Sequence, residues 1–448
     1  MAPMTASIPS PPALPRLGHA PMMARDVLGY FRHVARTQGD VSRIVAGDFQ
    51  VYLVAHPRDI EYAHVQTGRL FDKGLGSDRI LGPLLGGGLL SSEGDFWLRQ
   101  RRLAQPAFHR ARVEGYAATM VDFAQQARRE WRGGEVRDIH EDMMRLTLDI
   151  VTRTLFGAQP GSAANGTIGV AVDSVLREYE QLLRGLPRFV PPLGRRSHAR
   201  AMGAIESLNR AIGEVIAARQ GQEAHDEGDL LSMLLAARDD DGEPMSAGQL
   251  VDEVKTLISA GHETTANTLS WAFMLLATHP SAESRLHAEL DEVLGGDSPS
   301  LAALPRLPFL SAVVKETLRL YPPAWAVRRM AREPWEVGGH TLPAGARILM
   351  SQYVTHRDPR FWDEPDAFRP ERWLAPDFER SLPRYAYFPF GGGPRVCIGQ
   401  AFAQMESALL LATLAPGFRL RLAAPARFEP SITLRPRGGL TMRLHAWR

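Results

Sequence analysis

The chain has 448 residues, 44% of them hydrophobic and 23% charged, with 52 basic and 50 acidic side chains and a formal net charge of +2. That balance provides apolar surface for a large core and excludes the strongly basic character of a nucleic-acid binder. One cysteine excludes an internal disulfide framework and any cysteine-rich zinc site.

Residues 1–25 carry Pro9, Pro11, Pro12, Pro15 and Pro21 and read as an extended arm before a single domain over 26–448. The N-terminus lacks the apolar core of a secretory signal, and no apolar run of about 18 residues occurs. The expectation is therefore a cytoplasmic protein, without a membrane span or a nucleic-acid partner, and a monomer. Alternating residues over 41–45 and 50–54 predict a hairpin. From residue 57 to about 279 the pattern is helical, with segments over 57–66, 93–105, 111–131, 138–156, 166–184, 197–219, 228–238 and 246–278. Breaks fall at 82–88, 133–134, 187–194 and 239–244, where glycine and proline collect. Basic residues cluster at Arg99, Arg101, Arg102, Arg110 and Arg112, either as a solvated face or as a docking face for an acidic protein.

Ser246 and Gln249 form a capping-box pattern at the start of a helix of roughly 30 residues, about 45–50 Å long. In its middle lies Ala260-Gly261-His262-Glu263-Thr264-Thr265. Gly261 weakens the helix by about 1 kcal/mol against alanine, and Thr264 can bond the Ala260 carbonyl. Together they predict a bend that frees backbone groups. Further helices are expected over 281–293 and 308–320, and the second carries Glu316 and Arg319 at i, i+3 on an otherwise apolar face. Short strands follow over 335–337, 341–342 and 347–351, then a helix over 399–413 and closing strands. The fold class is mainly α with a small β region.

The most distinctive stretch is Phe390-Gly391-Gly392-Gly393-Pro394-Arg395-Val396-Cys397-Ile398-Gly399. Its glycines predict a loop passing close to something flat or bulky, and Cys397 stands just before a helix, whose N–H groups favour a thiolate. Such a thiolate can be a nucleophile, a redox thiol or a metal ligand. No local base supports the first and no second cysteine the second. Haem suits a lone thiolate because the porphyrin supplies four nitrogens and the protein need supply only one soft ligand.

The pattern Phe390-x-x-Gly393-x-Arg395-x-Cys397-x-Gly399 resembles the haem-binding signature of the cytochrome P-450 family. Ala260-Gly261-x-Glu263-Thr264 resembles its oxygen-activation motif. Glu316-x-x-Arg319 with Arg372 resembles its buried charge network, and Trp97-x-x-x-Arg101 its propionate-binding helix. The resemblance implies the P-450 fold of about a dozen helices, with haem b (iron protoporphyrin IX) between the long helix and the loop of Cys397, its axial iron ligand. It implies that Trp97, Arg101, Arg395 and either Arg328 or Arg329 serve the propionates, and that Ala260, Gly261, Phe390, Gly393 and Gly399 also belong to the cofactor site. Glu263 and Thr264 would deliver protons to the distal oxygen, with the carboxylate linked to bulk water. The implied reaction is monooxygenation, inserting one atom of O2 into a substrate.

Electrons would come from a separate ferredoxin or flavodoxin-like donor with its NAD(P)H-dependent reductase, docking near Arg99 and Arg102. Pocket walls are implied at 75–90, 186–194, Leu257, Ala260, 324–327 and 434–439. Their largely aliphatic character favours a lipophilic small molecule: terpenoid, fatty acid or polyketide-like. Arg188, Arg435 and Arg437 read as surface residues. A haem-thiolate isomerase, a peroxygenase and a non-catalytic haem sensor remain alternatives.

Overall fold

The computed structural model describes residues 7–47, 49–75, 81–157, 168–172, 174, 175, 178, 191–220 and 229–447. The helix expected over 166–184 lies largely outside them, as do Arg188 and the pocket walls expected at 76–80 and 186–190. No described helix is long and apolar enough to cross a membrane.

The long helix runs unbroken over Ala247–Thr278. Both halves of the capping box form: Ser246 N donates to Gln249 Oε1 at 2.7 Å, and Gln249 N to Ser246 Oγ at 3.3 Å. Every residue from Thr265 to Leu276 is buried, so this half is wrapped on all sides rather than amphipathic. Helices Ile139–Phe156, Pro191–Gln220 and Pro308–Leu320 pack against it, as does the helix after the cysteine, Gln400–Leu414. Their apolar faces form the largest core, around Ile150, Leu269, Val313 and Leu410.

The expected hairpin pairs Val41–Ala46 with Phe49–Val54. Its second strand lies parallel to Arg347–Met350, which pairs in turn with Val327–Ala331 and then Phe71–Asp72. The last two strands were not expected. One carries adjacent arginines and the other has two residues, so neither shows alternation, and only pairing across the chain defines them. At the C-terminus a hairpin joins Phe428–Pro430 to Leu434–Pro436.

Three boundaries differ from expectation. The arm is not extended to residue 25, because a helix, Ala20–Gln38, begins with Pro21 in its first turn, where a missing N–H costs nothing. The preceding residues are pinned: Arg43 N donates to the Pro9 carbonyl and Val45 N to His19 Nδ1. The helix expected over 111–131 divides into Arg110–Gly115 and Ala117–Glu130, with the poor helix former Gly115 at the junction. The helix expected from 197 begins at Pro191, inside the predicted break, since proline is tolerated in a first turn.

Candidate active site

The cysteine loop is shaped by what it leans on. Gly391 and Gly393 have φ of 71° and 63°, a conformation glycine adopts without strain. A Cβ at Gly393 would lie 2.2 Å from the His64 carbonyl oxygen, and one at Gly392 would meet the Tyr385 ring. These two glycines therefore approach the protein's own backbone and an aromatic ring. Cys397 N donates to the Phe390 carbonyl at 3.0 Å, closing the loop, and Gly399 stands at the cap of the following helix.

Cys397 is exposed, yet set deep enough that desolvation is the leading influence on its thiol and raises its pKa. The Gly399 backbone, Arg101 and Lys73 act in the opposite direction and are outweighed. The helix start therefore does not by itself produce the expected thiolate. A metal cation would displace the proton.

Around the sulfur lies a rim of cations from four segments. Arg101 donates to the Val396 carbonyl at 3.1 Å. Arg395 pairs with Glu93, donates to the Ser92 carbonyl at 2.7 Å and stacks 3.9 Å over Trp97, which brings two of the expected residues together. Arg329, nearly fully buried, donates to Thr67 at 2.7 Å and lies 3.1 Å from His64 Nδ1. Lys73 completes the set. Burial first, then neighbouring Arg329 and Arg395, push the Lys73 pKa down to about 7. The same combination takes Arg329 to about 10, and burial with Arg329 takes His64 to about 3. Arg395 also falls to about 10, by burial, and its Nε is buried without a partner. Glu93 is the carboxylate that lowers this crowding at Lys73, Arg329 and Arg395. Such a rim fits a group with one metal for the sulfur and two carboxylates for the cations.

Arg328 faces the other way along its strand and donates to the Gly74 carbonyl at 3.0 Å. Strand alternation thus puts Arg329, not Arg328, among the rim cations. Lys73, His64 and Glu93 were missed in the sequence, because none belongs to a local motif.

On the long helix Ala260 is exposed and Thr264 half-buried. Thr264 Oγ1 donates to the Ala260 carbonyl at 2.8 Å, as expected. The helix continues without interruption through this stretch, where a bend was expected. A Cβ on Gly261 would lie 3.1 Å from Val151, so this glycine admits the neighbouring helix. Thr147 of that helix donates to the His262 carbonyl at 3.0 Å, occupying a backbone group expected to be free. Glu263 does not open onto bulk water. It is 5% exposed, accepts a hydrogen bond from Thr433 at 2.6 Å and lies 4.0 Å from Arg435. Arg435 is accordingly an interior ion-pair partner, also 3.6 Å from Glu429, rather than a surface residue.

Glu316 and Arg319 are fully buried and joined at 2.8 and 2.9 Å; Arg372 donates to Glu316 at 3.1 Å, and Arg369 N and Trp373 Nε1 add two further donors. Arg319 also donates to the His356 carbonyl, and His356 Nε2 accepts from Phe388 N, at the start of the cysteine loop. His356 is the link between network and loop that the sequence did not indicate.

The basic face expected for docking is partly neutralised: Arg99 pairs with Asp239 and Arg102 with Asp240. The loop over 239–244, read only as a break, supplies these acids and also two carbonyls within reach of Arg99.

An exposed loop cysteine beside a surplus of rim cations, in a fold whose long helix bears an acid and an alcohol, is the arrangement of a cofactor-binding enzyme. The family model for Cytochrome P-450 matches residues 8–442. Cyclooctatin synthase of Streptomyces melanosporofaciens is 38% identical, covering 96% of this chain and 93% of its own. Cyclooctat-9-en-7-ol 5-monooxygenase of the same species is 36% identical over 92% and 89%, and pentalenene oxygenase of Streptomyces avermitilis 33% over 95% and 93%. The chain belongs to the cytochrome P-450 family and is a haem-iron monooxygenase of it.

Proposed function

We propose that this chain binds haem b through Cys397 and inserts one oxygen atom of O2 into a lipophilic terpenoid. Electrons would come from a separate ferredoxin or flavodoxin-like carrier and its NAD(P)H-dependent reductase. The observation that carries the reading is the exposed thiol beside the surplus of buried cations. When bound, the haem supplies an iron that activates dioxygen, and a thiolate ligand favours O–O cleavage.

Cys397 would release its proton to solvent on binding the metal. Arg101, Arg329 and Arg395, with Lys73, would hold the propionates, Trp97 supporting Arg395 through the stacking described. Phe390, Gly393 and Gly399 shape the loop, and Ala260 and Gly261 would line the opposite face. Glu263 and Thr264 would supply protons. The Glu316–Arg319–Arg372 network positions the loop through His356.

The terpenoid assignment rests on the products and substrates named in the relatives, cyclooctatin, cyclooctat-9-en-7-ol and pentalenene, and on aliphatic side chains such as Leu89 and Leu257 near the long helix. We read residues 8–442, the span of the family match, as one catalytic domain, acting as a cytoplasmic monomer.

The test is spectral, then catalytic. The reduced, carbon-monoxide-treated protein should show the red-shifted Soret band of thiolate ligation, and Cys397→Ala should lose it. Terpenoids should shift the ferric haem towards high spin, and product should require the reductase system. Product formed equally with peroxide alone would replace this reading with a peroxygenase.

A further inference from the structure

We infer that Thr433, Asn267 and His140 form a reversible hydrogen-bond chain that positions the Glu263 carboxyl and accommodates it with or without its proton. The inference rests on the proton-delivery reading of Glu263 given above.

Three separate elements meet here. His140 lies in the first turn of Ile139–Phe156, Asn267 one turn after Glu263 on the long helix, and Thr433 in the C-terminal hairpin. His140 Nε2 is 3.0 Å from Asn267 Oδ1, Asn267 Nδ2 is 3.1 Å from Thr433 Oγ1, and Thr433 Oγ1 is 2.6 Å from Glu263 Oε1. Glu263, Asn267 and Thr433 are all buried, so an unmade hydrogen bond among them is costly. The hairpin cannot drift from this register: Trp271 Nε1, one turn further along the helix, donates to the Leu434 carbonyl at 3.1 Å.

Every link can work in two directions, because a neutral imidazole, a carboxamide and a hydroxyl each both donate and accept. Burial, the leading influence on His140, lowers its pKa and keeps the ring neutral. In one polarity His140 Nε2–H donates to Asn267, Asn267 donates to Thr433, and the Thr433 hydroxyl donates to a Glu263 carboxylate. In the other, a protonated Glu263 donates to Thr433, Thr433 donates to the turned amide of Asn267, and that amide donates to bare His140 Nε2. Neither leaves a buried group unpaired.

The charged groups nearby are Arg435 at 4.0 Å from Glu263, Glu429 on the far side of Arg435, and Asp138, which with Glu263 and Arg435 acts electrostatically on His140. The chain gives the carboxylate and the carboxylic acid alike a hydrogen-bond partner in Thr433. A proton carrier must be held in both forms. The only bond made and broken is O–H at Glu263, which takes up one proton and passes one on towards Thr264. The chain itself carries none, since an amide does not relay protons.

The test uses holoenzyme variants Thr433→Val and Thr433→Ser. Thr433→Val should lower the fraction of reducing equivalents reaching product at least fivefold, the remainder appearing as hydrogen peroxide, with the substrate-induced spin shift unchanged. Thr433→Ser should restore at least half. Independently, ring-¹⁵N histidine signals, with His140 identified by its loss in His140→Gln, should show one dominant tautomer in the parent and a mixture in Thr433→Val. Coupling unchanged in Thr433→Val, a serine variant no better than valine, or identical His140 signals in parent and Thr433→Val would each overturn the inference. If the parent makes no reductase-dependent product, the functional reading fails, while the ring signals still decide this one.

Discussion

Two buried clusters of charge, both rich in arginine, are built on opposite principles. Around Glu316 each guanidinium has somewhere to go. Five donors converge on one carboxylate, and Arg319 passes its remaining protons to the carbonyls of His356, Pro365 and Ala367. Around Cys397 the cations face one another, their pKa values fall, and Arg395 keeps an unpartnered Nε. A closed network holds the fold together, whereas an open one stores repulsion that a dianionic ligand relieves. Burial alone does not distinguish the two; the direction of the hydrogen bonds does.

Removing the centre of the closed cluster gives the largest expected effect. Glu316→Ala leaves two buried guanidinium groups uncompensated and should cost about 3–5 kcal/mol, read as a fall in the thermal midpoint with or without haem. A loss below about 1 kcal/mol would erase the distinction between the clusters.

In the open cluster a cation-removing change should have the opposite sign. Arg329→Met relieves crowding, so the apoprotein should be no less stable. Haem transfer to an apoglobin should nevertheless quicken roughly tenfold, about 1.4 kcal/mol of lost retention. Arg328→Met should leave retention near the parent value; equal effects would remove the assignment of Arg329.

The third effect is a pH dependence. Unfolded Lys73 keeps its proton up to its ordinary value of 10.5, whereas the folded apoprotein releases it at about 7. Between these values the unfolded state binds more protons, so apoprotein stability should rise with pH across that window. Lys73→Met should flatten this slope in a series of denaturant midpoints.

Legibility in the sequence followed the range of the interaction. The capping box of Ser246 and Gln249, the Thr264–Ala260 bond and the Glu316–Arg319 pair each lie within one helical turn, and all three form. Gly261 was conspicuous, but its reason was not local: it makes room for Val151 of another helix and does not break its own. Lys73 follows Phe71–Asp72, which pairs with Val327–Ala331, while His64 meets Arg329 and Glu93 meets Arg395; each is a contact across more than half the chain that no local pattern announces.

The chain alone determined that a single cysteine sits on a glycine turn before a helix, that a long capped helix carries an acid–alcohol pair, and that most of the rest is helical. These are consequences of backbone freedom, capping and spacing, which act over a few residues. Only the tertiary structure decided which arginine of the 328–329 pair joins the rim and that burial raises the pKa of the Cys397 thiol. It also decided that Glu263 answers to Thr433 and Arg435. Those outcomes depend on desolvation and on charges brought together from distant segments, and both come into being only when the chain is folded.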